Sequence, residues 1–268
     1  MSNLQTIIGN VIAIYRRELQ SYFASPLAYG IATVFWLLSG FFLVITVFGP
    51  EGLLAQSNFA DQSGLAAPID LPYEFVRFYL GLLGSLSMFI LPMLSMGLYT
   101  EERKQGTLEL LATSPVTNWA VALGKLLGVA TFYITMTLPL MVCESLILGA
   151  SDPPFKFSLL LLAHAGLVLL ATGVLSLGMF ISSLTESTVL AAIMTFTLVL
   201  VLWALSGIAN SVPDPLGEAI GHLSLLTHFD DFIQGIFDTS GLILFLSYVV
   251  LGLFLTAQSI ETLRFQRN

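Results

Sequence analysis

The chain has 268 residues, of which 56% are hydrophobic and 10% are charged, and its mean hydropathy is +0.89. A soluble domain carries about 25% charged residues, so this composition excludes a typical cytosolic enzyme and a disordered chain, and 1–268 reads as one polytopic membrane domain. The 9 Lys and Arg against 17 Asp and Glu exclude the basic patch of a nucleic-acid binder, and the lone Cys143 excludes an internal disulfide and a Cys-rich metal site.

In chain order, the first element is amphipathic. Leu4, Ile7, Ile8, Val11, Ile12, Tyr15, Leu19, Tyr22 and Phe23 recur at helical spacing, and Arg16 and Arg17 fall mostly on another face. A basic helix lying in the membrane interface over 4–24 fits this pattern, and a long first span with a frayed start is the alternative. Ser25-Pro26 turns the chain into the first span. No small-residue cleavage site follows the first apolar run at a usual distance, so the N-terminus does not read as a cleavable signal peptide.

A transmembrane helix needs about 20 apolar residues. Runs free of Asp, Glu, Lys and Arg cover Leu19–Pro50, Phe78–Thr100, Leu126–Cys143, Phe157–Thr185, Ser187–Pro213 and Thr239–Ile260. Lipid cannot satisfy an open backbone, so each is expected to be a helix. The fold class is therefore all-α, with six transmembrane helices and an N-terminal interfacial helix. With the N-terminus in the cytoplasm, Arg16, Arg17, Arg103, Lys104, Lys125, Arg264 and Arg267 lie inside, and Arg77 and Lys156 lie outside. This bias puts both termini in the cytoplasm.

Between the spans, 49–74 reads as irregular. Lys125 is expected to snorkel to the cytoplasmic surface. Glu144 either reaches the outer interface or lines a polar path. Gly124 and Gly128 form a G-x-x-x-G pair that would let another helix approach closely. The external connection over 209–240 is half apolar and suggests one or two short amphipathic helices dipping into the outer leaflet, a re-entrant or interfacial segment that serves as a gate or as a plain cap. Thr131, Thr135, Thr137, Thr172, Thr195 and Thr197 give the spans a hydroxyl lining that favours a hydrophobic or amphipathic cargo over a bare ion.

Chemistry of its own is not expected of the chain. Gly124-Lys125 is followed by Leu126 and Trp119 stands where a phosphate loop would open, so no nucleotide cradle forms. His164, His222 and His228 show no metal-ligand pairing, and no nucleophile elbow occurs. Catalytic, cofactor-binding and metal residues are therefore none.

The densest charge cluster lies in the 101–115 loop. Glu101, Glu102 and Arg103 precede Gly106, which permits a sharp bend. Thr107 can cap a short helix carrying Leu108, Glu109, Leu110 and Leu111, and Ser114-Pro115 stops it. Exposed leucines here serve either a docking partner or a turn resting in the interface.

Four blocks resemble ABC-2 type transporter permeases, closest to the gliding-motility GldF type with the NosY type related. They are Arg17–Tyr29, Glu101–Pro115, Ser182–Glu186 with Ala191-Ala192, and His228–Phe232 with Gly235. Ser187-Thr188 and Leu225 depart from that pattern. The resemblance implies half of a transport unit that pairs with a second permease copy or a related one in a bacterial plasma membrane. It implies a separate cytoplasmic ATPase that binds ATP and Mg, docked at Glu101, Glu102, Arg103, Gly106, Thr107, Leu108, Glu109, Leu110 and Leu111. A lesser contact is implied at Leu184, Thr185 and Glu186. Export is the function this suggests, and a membrane anchor for an ATPase-driven mechanical or assembly process is the rival. A lipid-modifying membrane enzyme is a third class, and its catalytic dyad is not visible.

Overall fold

The computed structural model describes residues 3–63, 70–107, 116–149, 155–209, 211–212 and 215–265. The described residues form helices α1 (Asn3–Ala24), α2 (Pro26–Phe48), α3 (Leu53–Ser63), α4 (Leu71–Ser95) and α5 (Gly97–Lys104). These are followed by α6 (Asn118–Gly149), α7 (Phe157–Leu184), α8 (Thr188–Ala209), α9 (Leu216–Gly221), α10 (Leu225–Ile233) and α11 (Thr239–Phe265). Six stretches are long and apolar enough to cross a membrane: Pro26–Phe59, Pro72–Lys104, Asn118–Gly149, Phe157–Leu184, Thr188–Ala209 and Thr239–Thr262.

Local chemistry sets the boundaries. Ser25 takes an extended conformation and its Oγ accepts from Ala28 N at 3.4 Å, with Pro26 opening α2. That break makes α1 a separate helix, so the first crossing starts at Pro26 rather than Leu19. Asp70 caps α4 by accepting from Tyr73 N at 3.2 Å. The Thr117 carbonyl accepts the first bonds of α6 from Ala120 and Val121. Charge-free runs understate α6 at both ends, because Lys125 and Glu144 lie inside it and are buried. The 49–74 connection also differs from its irregular reading: Leu53–Ser63 has no interior glycine or proline and forms α3.

At the centre stands α7, which touches α4, α5, α6, α8, α10 and α11. Between helices in lipid there is no hydrophobic driving force, so close van der Waals packing holds them. Gly124 and Gly128 supply it for α1: a Cβ at either position would meet Ile14 or Glu18 at 2.8 Å. The partner of the G-x-x-x-G pair is thus the chain's own N-terminal helix. Gly84 of α4 and Gly166 of α7 similarly leave a slot for the rings of Phe229 and Phe232. Leu225, Phe229, Phe232 and Ile233 of α10 are almost wholly buried there. This short helix is wedged into the bundle by its apolar face.

Elsewhere the surface is apolar. Leu37, Phe41 and Phe48 of α2 and Val189, Ile193 and Trp203 of α8 are exposed, as is Cys143 on α6. Of the six threonines, only Thr195 keeps a hydroxyl without a hydrogen-bond partner, and it is buried. Thr131, Thr135, Thr137, Thr172 and Thr197 each donate to a carbonyl of their own helix.

Candidate functional site

At the C-terminal end of α5 the chain bends at Gly106, whose φ is +69°. The Thr107 hydroxyl donates back to the Glu102 carbonyl at 3.2 Å. Leu108, Glu109, Leu110 and Leu111 lie outside the described residues. Glu101 is exposed, and Glu102 and Arg103 are half-buried.

Arg103 joins this segment to the turn between α7 and α8. Its Nη1 donates to the Ser183 carbonyl at 2.7 Å and its Nε lies 3.9 Å from Glu186 Oε1. A guanidinium satisfies the unpaired carbonyls and the negative dipole end where α7 finishes. One turn earlier, Tyr99 N donates to Ser182 Oγ at 2.7 Å. The two segments singled out in the sequence, 101–107 and 184–186, are therefore neighbours. Leu184 and Glu186 are exposed, and Thr185 Oγ1 accepts from Ser187 N to open α8.

Beneath them lies Lys125, which does not reach the surface. It is 4% exposed, and its ammonium meets Leu98 O at 2.8 Å, Glu102 Oε1 at 3.0 Å and Glu18 Oε2 at 3.1 Å. Three donors thus meet three oxygens, from α1 and α5, and the Tyr99 ring lies 5.0 Å away. Snorkelling fails here because the carboxylates come to the ammonium, which removes the need to seek water. Sequence spacing could not show this, since Glu18 is 107 positions away.

Beside this cluster a cavity of about 170 Å³ opens between α1, α2, α4 and the start of α8, lined by Glu18, Tyr22, Ser25, Leu94, Glu101 and Thr188. Tyr22 donates to Leu94 O at 2.6 Å across its wall. Burial first, then the carboxylates of Glu18 and Glu101, holds the Tyr22 phenol well above its ordinary range, so it stays a donor.

In the opposite half of the bundle, Glu144 is fully buried, 3.6 Å from His164 Nε2, and reaches no interface. His164 Nδ1 pairs with Leu160 O at 3.1 Å. Near α10, His228 faces Asp231 and Asp238, a grouping whose ligand atoms could hold a metal ion. The sequence reading missed it because Asp238 comes from beyond the turn at Gly235.

The family described as ABC-2 type transporter matches residues 9–237, from α1 past the end of α10. "Probable multidrug ABC transporter permease YbhR" of Escherichia coli strain K12 is 28% identical over 174 residues, 63% of this chain and 45% of that relative. The protein of the same name from Escherichia coli O157:H7 gives the same figures. The chain thus spans less than half the length of the curated relatives it matches.

Proposed function

Because the chain belongs to the ABC-2 type transporter family, as a membrane permease subunit, we propose that it forms the membrane half of an ATP-driven exporter. ATP and Mg are bound by a separate cytoplasmic ATPase, which docks on Glu101–Leu111 with a lesser contact at Leu184, Thr185 and Glu186. A second permease copy, or a related chain, completes the unit. The Lys and Arg bias supports both termini in the cytoplasm, and the family resemblance suggests a bacterial plasma membrane.

One observation carries this reading. Arg103 and Lys125 tie the 101–107 segment to α1, α6 and the α7–α8 turn at one end of the bundle. A push delivered to that segment has several helices to move at once. Charges there fix register with a partner and exclude wrong ones, while the leucines of 108–111 supply the apolar knob. The "multidrug" description of the relatives agrees with a hydrophobic or amphipathic cargo entering from the bilayer side, and the cavity beside Tyr22 and Glu101 suits an amphipathic molecule.

The expected outcome of Leu108→Asp with Leu111→Asp is loss of the co-purifying ATPase, with the membrane chain still folded. Stoichiometric retention of the ATPase by that variant would overturn the docking assignment. A second reading is favoured by the likeness of the Glu101–Pro115 and His228–Gly235 blocks to gliding-motility permeases: a membrane anchor whose ATPase drives a mechanical or assembly process. ATP-driven uptake of an amphipathic tracer into inverted vesicles supports export, and intact ATPase docking without uptake supports the anchor.

A further inference from the structure

Opposite the Arg103 cluster, α10 passes into α11 through Gly235, whose φ is +81°. This turn brings Asp238 back to the side of His228. The imidazole of His228 is 5% exposed and its Nε2 lies 3.3 Å from the His222 carbonyl oxygen. A carbonyl can only accept, so Nε2 points its hydrogen there and Nδ1 is the ring atom left to face the acidic side. That Nδ1 is buried and has no hydrogen-bond partner. It faces Asp231 Oδ2 at 3.8 Å and Asp238 Oδ2 at 4.0 Å, and the three ligand atoms lie within 4.8 Å of one another.

His228 Nδ1 and the two carboxylate oxygens therefore converge, and of the three only Asp238 Oδ2 also accepts a hydrogen bond, from the Ser240 hydroxyl. The separations exceed the roughly 3.2 Å limit of a good hydrogen bond. The two distances from Nδ1 sit roughly half an ångström outside the spacing of about 3.4 Å that ligands take around a tetrahedral zinc at about 2.0–2.2 Å. The Asp231 and Asp238 side chains are a third exposed or more and have room to close that gap. Two carboxylates and an imidazole are a donor set suited to a divalent cation. An imidazole in the set favours a late first-row ion over magnesium or calcium.

The surroundings fit a ligand set. The His222 carbonyl fixes the tautomer, as second partners of metal-bound histidines do. Ser240 donates its hydroxyl to Asp238 Oδ2 and its amide to Oδ1, the latter at 3.0 Å. These bonds fix the orientation of the Asp238 carboxylate beside the ring. At Gly241 a Cβ would stand 3.2 Å from His228 Nδ1, so the absence of a side chain leaves the space beside the ring open.

We propose that His228, Asp231 and Asp238 bind one divalent cation of the zinc class. The ion clips α10, the wedge between α4 and α7, to the first turn of α11. Water completes its coordination on the exposed side.

The test uses the full chain in detergent with Cys143→Ser, stripped with chelator and titrated with zinc chloride by calorimetry, with bound metal counted by mass spectrometry. The expected result is about one zinc per chain, with affinity reduced about tenfold or more by Asp231→Asn and by Asp238→Asn. Asparagine at 238 can still cap α11, and Asp230→Asn, next door, leaves binding unchanged. Zinc raises the melting temperature of the parent chain but not of the Asp231→Asn chain. Absence of stoichiometric binding overturns the proposal, and so does zinc binding that both variants leave intact.

Discussion

The two ends of this bundle handle buried charge in opposite ways. Around Lys125 every proton of the ammonium has an oxygen, drawn from two other helices. In the other half, neither carboxylate oxygen of Glu144 has a hydrogen bond, and its neighbour His164 Nε2 has none either. A charge taken out of water is tolerated when partners replace its hydration, and is costly when they do not. The Lys125 end therefore reads as a fixed joint, and the Glu144 half as a place where packing tolerates an unmet polar demand.

The largest effect that would break this contrast is at the joint. Lys125→Met leaves the half-buried carboxylates of Glu18 and Glu102 without a cation, and the expected loss is up to about 3–5 kcal/mol. Thermal unfolding in detergent measures it, and adding Glu18→Gln with Glu102→Gln should restore much of the loss. A fall under 1 kcal/mol would show that water already reaches the cluster. In the other half the sign reverses. Replacing the pair together, Glu144→Leu with His164→Phe, is expected to leave stability unchanged or to raise it by up to about 4 kcal/mol. A clear loss would mean that the pair is better satisfied than its geometry indicates. The smallest effect is Glu186→Gln. Its contact with Arg103 is long and its side chain is 70% exposed, so a change of about 0–1 kcal/mol in unfolding is expected. Any larger change in ATPase co-purification would then report on docking and not on folding.

Much of this was legible from charge gaps and turn chemistry. Six crossings follow from runs that avoid Asp, Glu, Lys and Arg, and Ser25-Pro26 marks the break before α2. The glycines at 124 and 128 announced a close helix neighbour, though not that it would be α1. What resisted reading shares one physical cause. A sequence pattern treats each charge as bound for water, yet Lys125 and Glu144 find their surroundings in segments far away along the chain. The slot for α10 depends on Gly84 and Gly166, which come from different helices and mean nothing until those helices meet. The family resemblance named the 101–107 and 184–186 segments only as two contacts for an ATPase, not as neighbours of each other. The Arg103 bond to Ser183 brings them together, across 80 positions that spacing could not bridge.

Cys143 sits exposed on α6, one residue before the buried Glu144, and it is the chain's only thiol. The natural polypeptide thus offers a single point for attaching a paramagnetic probe. In a paired assembly, such probes on both copies would act as a molecular ruler, and their spacing with and without nucleotide would read the motion of this helix directly.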